Sequence, residues 1–270
     1  MSRYAALAAL AATLAGCQTG RNYTRLDGPR YGTVPSDALP REPPGGPATL
    51  TLVSFNIERA LRVESAIAVL EDDPALRSAD VILLQEMDDA GTRRVAQAFG
   101  MAYVYYPGTF SLKTHRDFGN AVLSRWPIVG DSKILLPHLG VLGRLQRTAT
   151  AATILVGGTR VRVYSTHLGT PLNATPAAQR AQLRAVLADA EGYPRVVIGG
   201  DMNSHHVGRL ARERGYLWPT EHGPRTTRFG RWDHIFLKGV TPPSGPAAGT
   251  VIDVRGASDH RPVWAVATLR

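Results

Sequence analysis

The chain has a single cysteine among its 270 residues, Cys17. No intramolecular disulfide can form, so the fold must rest on its core. A second cysteine and an HExxH pair are both missing, which leaves a zinc centre little support. No apolar run is long enough to span a bilayer as a mature helix. Acidic residues are in the minority: 22 Asp and Glu against 31 Lys and Arg give a formal net charge of +9. That balance favours acidic partners, whether nucleic acid, anionic lipid or phosphorylated substrates. The alternative is a solvated basic surface that only keeps the chain soluble.

The amino terminus reads "MSRYAALAALAATLAGCQTG". Arg3 supplies a short positive region, and Ala5 to Leu14 is apolar but too short to cross a membrane. Small residues follow, so residues 1–16 read as a cleavable export signal. Leu14-Ala15-Gly16-Cys17 also resembles the lipobox of bacterial lipoproteins. That resemblance implies a lipid on Cys17, which becomes the first mature residue. It implies a membrane-anchored exported protein, and Gln18 resembles the sorting preference for the outer membrane. Residues 17–48 are rich in Pro, Gly and charge, as in "PREPPGGPAT", and lack apolar periodicity. They read as a tether. An ordered arm held by Tyr23 and Tyr31 is the alternative.

From Thr49 to Arg270 the character changes to that of one catalytic-sized domain. "LTLVSFNI" and "ADVILLQEM" read as strands, and "RVESAIAVLEDDP" as a helix stopped at Pro74. "GTRRVAQAFG" reads as a helix ended by Gly100. "TATAATILVGGTRVRVYSTHL" reads as a hairpin turning at Gly157-Gly158. "TPAAQRAQLRAVLADA" is a helix with Thr175 as its cap and Pro176 in its first turn. "RVVIGGD", "RWDHIFLKGV" and "HRPVWAVATL" supply more strands. Many strands with few helices predict stacked sheets flanked by helices.

Polar residues recur where apolar runs stop: Asn56, Glu86, Asn120, His167, Asp201 and Asn203, Asp233 with His234, and Asp259 with His260. Carboxylates and amides at buried strand ends are costly unless paired. A hard cation and a phosphate would pair with them. All-oxygen ligands suit Mg²⁺ first, then Mn²⁺ or Ca²⁺. Each residue alone has a plainer explanation as a turn, a cap or a satisfied core group. In "VVIGGDMNS", Gly199 and Gly200 are expected to leave room for backbone and ligand to approach, so that Asp201 and Asn203 face a phosphate.

In sequence order, "SFNI", "LLQEM", "GNAVLSRWPI", "STHL", "GGDMNS", "WDHIFL" and "SDHRPV" resemble the motifs of the endonuclease/exonuclease/phosphatase superfamily. The resemblance covers about Thr49 to Arg270 and implies the DNase I-like fold, a four-layered αββα sandwich. It implies Glu86 as the main metal ligand, with Asn56 and Asp259 completing the site. Asp201 and Asn203 would hold the attacking water and the phosphate, with Asp201 as base. His260, oriented by Asp233, would be the acid/base histidine or phosphate clamp, and the alternative base. His167 would contact the phosphate from the other side. Asn120 and Arg147 are further candidates for phosphate contact.

The implied activity is Mg²⁺-dependent phosphodiester hydrolysis by a monomer, with nucleic acid as the first substrate class. A sphingomyelinase-like or inositol-phosphate-type hydrolase is the alternative, and a non-catalytic phosphate-binding module a third reading. Arg144, Arg147, Arg225, Arg228 and Arg231 could grip flanking phosphates. Trp232 or Trp218 could stack on a base or meet an acyl chain. No hydrophobic hairpin of a membrane-inserting kind stands out; "ILLPHLGVLG" (Ile134 to Gly143) is the one candidate, with an ordinary strand and turn as the alternative.

Overall fold

The computed structural model describes residues 20–33, 49–241 and 247–269. In chain order the strands are β1 (Gly20–Asn22), β2 (Tyr31–Gly32), β3 (Thr49–Asn56), β4 (Val81–Met87), β5 (Ala102–Ser111), β6 (Arg116–Ser124) and β7 (Ile128–Leu135). They continue as β8 (Thr148–Val156), β9 (Thr159–His167), β10 (Val196–Asp201), β11 (Asp233–Lys238), β12 (Ala248–Thr250) and β13 (Val263–Thr268). The helices are α1 (Val63–Asp72), α2 (Pro74–Arg77), α3 (Asp89–Phe99), α4 (Pro176–Asp189) and α5 (Gly208–Glu213).

Two sheets form. The larger runs β1-β5-β6-β4-β3-β13-β12, with β2 also on β5, and the smaller runs β11-β10-β9-β8-β7. Strand periodicity sorts the side chains. Val81 and Leu83 join Leu52, Val163 and Ile235 between the sheets. Ile82 and Leu84 point the other way, into a layer with Ile67 and Leu70 of α1 and Val95 of α3. On the far side of the small sheet, Leu183 and Val186 of α4 and Ala211 of α5 cover Tyr164 and Ile198. The result is the helix–sheet–sheet–helix stack that the motif order implies.

Local signals behave as read. Thr175 caps α4 by accepting from the Ala178 N–H, with Pro176 in the first turn. Gly100 ends α3 in the left-handed conformation that glycine adopts without cost. Pro74 stops α1 but also opens the short α2, because Asp73 accepts from the Ala75 and Leu76 N–H groups.

The tether reading fails for residues 20–33. β1 pairs with β5 from Gly20↔Ser111 to Asn22↔Thr109, and β2 pairs with β5 at Tyr31↔Tyr105. Buried Lys133 donates to the Tyr23 and Gly28 carbonyls, and Arg30 makes a two-pronged bond to Asp131. The ordered-arm alternative holds there, because the arm closes an otherwise open edge of β5. Cys17 and residues 34–48 lie outside the described residues.

Candidate active site

The parallel pairs β3/β4 and β9/β10 bring four strand ends to one rim of the sandwich. Asn56 ends β3, Glu86 lies near the end of β4, His167 ends β9 and Asp201 ends β10. β11 runs antiparallel, so its first residue, Asp233, arrives at the same rim. In register, Asp201 stands opposite His167 on one side and Asp233 on the other. Three functional side chains therefore occupy one row across three neighbouring strands.

Asp201 is the hub. Its Oδ2 accepts from the Asn56 amide at 3.1 Å and the Asn203 amide at 3.2 Å, and its Oδ1 accepts from the Asn203 N–H at 2.8 Å. His167 Nε2 lies 3.3 Å from the same Oδ2. The Arg147 guanidinium contacts His167 Nδ1 at 3.1 Å. Arginine can only donate, so Nδ1 accepts and Nε2 carries the proton toward Asp201. Burial holds the His167 pKa well below its ordinary value, with Arg147 and His260 adding to the effect. His167 stands neutral between Arg147 and Asp201, and its Nδ1 is taken by Arg147 where a phosphate contact is expected.

His260 Nδ1 meets Asp233 Oδ2 at 2.9 Å, and its Nε2 faces Asp201 Oδ2 at 3.6 Å. Burial would lower its pKa, but the Asp233 and Asp201 carboxylates and their hydrogen bonding outweigh burial and raise it to about 10. Burial pushes Asp201 the other way for an acid, up to about 7; Asp233 and Glu86 add repulsion while His260 and the Asn203 N–H pull back. An acid and a base with separated pKa values thus share one wall.

Glu86 sits across from that wall in a cleft of about 350 Å³, lined among others by Arg59, Phe118, Arg147 and Asn173. Its backbone φ is +59°, beside a register shift between β4 and β6. A bulge of this kind re-aims a side chain, here at the cost of a strained backbone. Glu86 Oε2 accepts from the Arg59 N–H at 3.1 Å, while His167 Nδ1 stays 3.9 Å from Oε1. Burial raises its pKa, partly opposed by Arg147, His260 and Arg59. A carboxylate whose desolvation is only partly offset, with the Asn56 side chain beside it, fits a hard divalent cation. Asp201, Asp233 and His260 also converge, with ligand atoms within 4.8 Å. There the His260–Asp233 pair already holds a proton, which competes with a metal.

Two expected residues do not join this cluster. Asn120 is buried, and its amide donates to the Thr148 carbonyl, tying β6 to β8 across the sandwich. Asp259 is exposed in a second cleft beside His260, because adjacent His260 takes the inward direction. The glycines bear out the close-approach half of the expectation. A Cβ on Gly199 would meet Leu83 at 2.4 Å, and one on Gly200 the Thr166 carbonyl oxygen at 1.9 Å. They serve close sheet packing, not ligand approach. Trp218 is buried and donates to His234, so it offers no face to a base. Arg59 and Phe118 are cleft residues that sequence reasoning missed. Both lie just outside the quoted motifs, three residues after Asn56 and two before Asn120.

The Endonuclease/Exonuclease/phosphatase family model matches residues 53–260. The chain belongs to that family. Its members are phosphoester hydrolases, and the motif order over this geometry agrees with that chemistry. Similar solved structures include an endonuclease/exonuclease/phosphatase from Beutenbergia cavernae, with 21% identity over 82% of this chain and 72% of that one, TM-score 0.66. D. rerio TDP2 complexed with single strand DNA product is 18% identical over 81% of this chain and 98% of that one, TM-score 0.60. The mannosyl-6-phosphatase Bt3783 of Bacteroides thetaiotaomicron is 14% identical over 82% and 100%, TM-score 0.59. At these identities the likeness establishes the fold. No curated protein matches the sequence.

Proposed function

We propose that the chain is a divalent-metal-dependent phosphodiesterase of nuclease type, exported and held at a membrane through Cys17. The observation that carries the catalytic reading is the Asp201 hub, with protonated His260 on one side and Glu86 on the other. Water attacks phosphorus and gives its proton to Asp201, whose pKa of about 7 suits a base at neutral pH. The new P–O bond forms as the bond to the leaving oxygen breaks, and that oxygen takes the His260 Nε2 proton. Asp233 keeps Nδ1 occupied and stabilises the imidazolium. Arg147 neutralises the non-bridging oxygens, fixed between His167 and the Phe118 ring at 5.5 Å. Asn203 and Asn56 hold Asp201 in place. Mg²⁺ at Glu86 and Asn56 would supply charge neutralisation at the phosphate.

Nucleic acid is favoured by the second cleft. Phe229 and Trp232 stack there at 5.5 Å and 15° beside His260, with the Arg228 guanidinium 4.4 Å from the Phe229 ring centroid. An aromatic face among arginines suits an unpaired base next to a phosphate. A phospholipid headgroup is the second reading, favoured by exposed leucines on the rim of the Glu86 cleft.

The test is metal-dependent nicking of supercoiled plasmid by the full-length protein, with sphingomyelin and a small chromogenic diester as parallel substrates. Nicking that needs Mg²⁺ and disappears in Asp201→Ala supports the nuclease reading. Hydrolysis of the lipid with an intact plasmid replaces it. Palmitate incorporation that Cys17→Ser abolishes tests the anchor.

A further inference from the structure

The Glu86 cleft has two lips. One is the β5–β6 hairpin tip, with Ser111, Lys113, Thr114 and Arg116 lining the cleft and Leu112 46% exposed between them. The other is built from two loops that Asn173 fastens together. Its carbonyl accepts from the Val141 N–H at 3.0 Å, and its side-chain oxygen from the Leu142 N–H at 2.9 Å. That lip exposes Val141 by 71%, Leu142 by 62% and Leu172 by 83%. Branched apolar side chains held out in water by a fixed turn are costly, and their clustering marks a contact surface. Exposed Lys113, Arg116 and Arg144 flank them, in a chain of net charge +9.

β1 enters the fold between these lips. Gly20 pairs with Ser111, the last residue of β5, and Asn22 donates to the Arg144 carbonyl of the opposite lip. The described chain therefore begins at the cleft mouth, not on the far side of the domain.

We propose that the two lips form a docking face for an anionic bilayer, with Val141, Leu142, Leu172 and Leu112 entering the headgroup region and the flanking cations meeting lipid phosphates. The cleft then opens onto the membrane surface. Apolar insertion plus charge attraction is the pairing that gives interfacial binding, and a lipid chain alone anchors weakly. A second copy of the chain is the competing occupant, but like-charged lips repel a copy and attract an anionic surface. The face does not depend on the Cys17 anchor of the proposed function.

The test uses full-length Cys17→Ser, so that no lipid contributes. Co-sedimentation is measured with vesicles of phosphatidylglycerol and phosphatidylcholine. Binding is expected, weakened by salt, and each of Leu142→Glu and Leu172→Glu should lower it about tenfold or more. Both variants should melt with the parent and hydrolyse the small soluble diester at its rate. No vesicle binding by Cys17→Ser, or equal binding by the glutamate variants, overturns the proposal. So does sedimentation velocity showing a parent dimer that the variants split. Because neither turnover nor lipidation enters the readout, loss of the phosphodiesterase reading would show separately, in the diester assay.

Discussion

His260 Nδ1 lies 2.9 Å from Asp233 Oδ2, and this contact turns Nε2 toward Asp201. The pair couples stability to pH with a definite sign. The folded His260 pKa is raised to about 10, above the ordinary value of 6.5. Its contribution is therefore full below about pH 6.5 and is lost as pH rises through about 10. Asp233→Asn removes the largest part of it. Chemical denaturation should find the variant weaker than the parent at pH 6, with the gap closing toward pH 10. A gap that stays constant would show that the imidazolium is not held.

The pH profile of kcat/KM should be bell-shaped. Asp201 must lose its proton, giving a rising limb near 7, and His260 must keep one, giving a falling limb near 10. Asp233→Asn should move the falling limb to lower pH, since the larger of its raising influences is gone. A falling limb that does not move would place the acid elsewhere.

Glu86 stores cost in the metal-free protein, since burial opposes its charge. Glu86→Gln should raise the metal-free melting temperature while abolishing the further rise on adding Mg²⁺. A metal at a hundred times its dissociation constant stabilises by about 2.7 kcal/mol, which differential scanning fluorimetry resolves. An unchanged Mg²⁺ response in the variant would move the ion to another set of ligands.

His167 is argued to position, not to contact substrate. His167→Gln keeps a donor but loses the bridge to Arg147, so kcat should fall by about a hundredfold with the limbs of the pH profile unmoved. A shifted limb would show that His167 itself titrates in the reaction.

The amino-terminal arm gives a stability prediction. A chain starting at Thr49 loses the β1 and β2 pairing, the Arg30–Asp131 bonds and both Lys133 acceptors. Its melting temperature should fall by several degrees, at roughly 2–4 °C per kcal/mol for a domain of this size. An equal melting temperature would make the arm a passenger.

The centre was legible in sequence because its residues sit where apolar runs end, and such positions carry their own signal. Asn56, Glu86, His167, Asp201 and Asp233 were found that way, and the structure gathers them. The arm was illegible for the opposite reason: strands of three and two residues, Gly20–Asn22 and Tyr31–Gly32, are too short to show a period. Asn120 misled because an amide facing a carbonyl across the sandwich looks, in sequence, like one facing a ligand. Gly200 was legible in part: its need for close approach was read, but a neighbouring strand and a ligand ask the same thing of a residue. Arg59 was hidden by its conformation. Its φ of +57° bends the chain after β3 back over the cleft, and nothing in "NIERA" announces that.

The in-register row of His167, Asp201 and Asp233 gives the reaction centre its ruler. Neighbouring strands stand about 4.8 Å apart because main-chain hydrogen bonds set that spacing, whatever the side chains. The distances between base, bridge and acid partner are thus a property of the sheet. A single-residue slip of β10 would carry Asp201 to the opposite face and dismantle the row at one stroke. Transplanting this chemistry to another scaffold would therefore mean transplanting a strand triplet with its mixed directions, not a set of side chains.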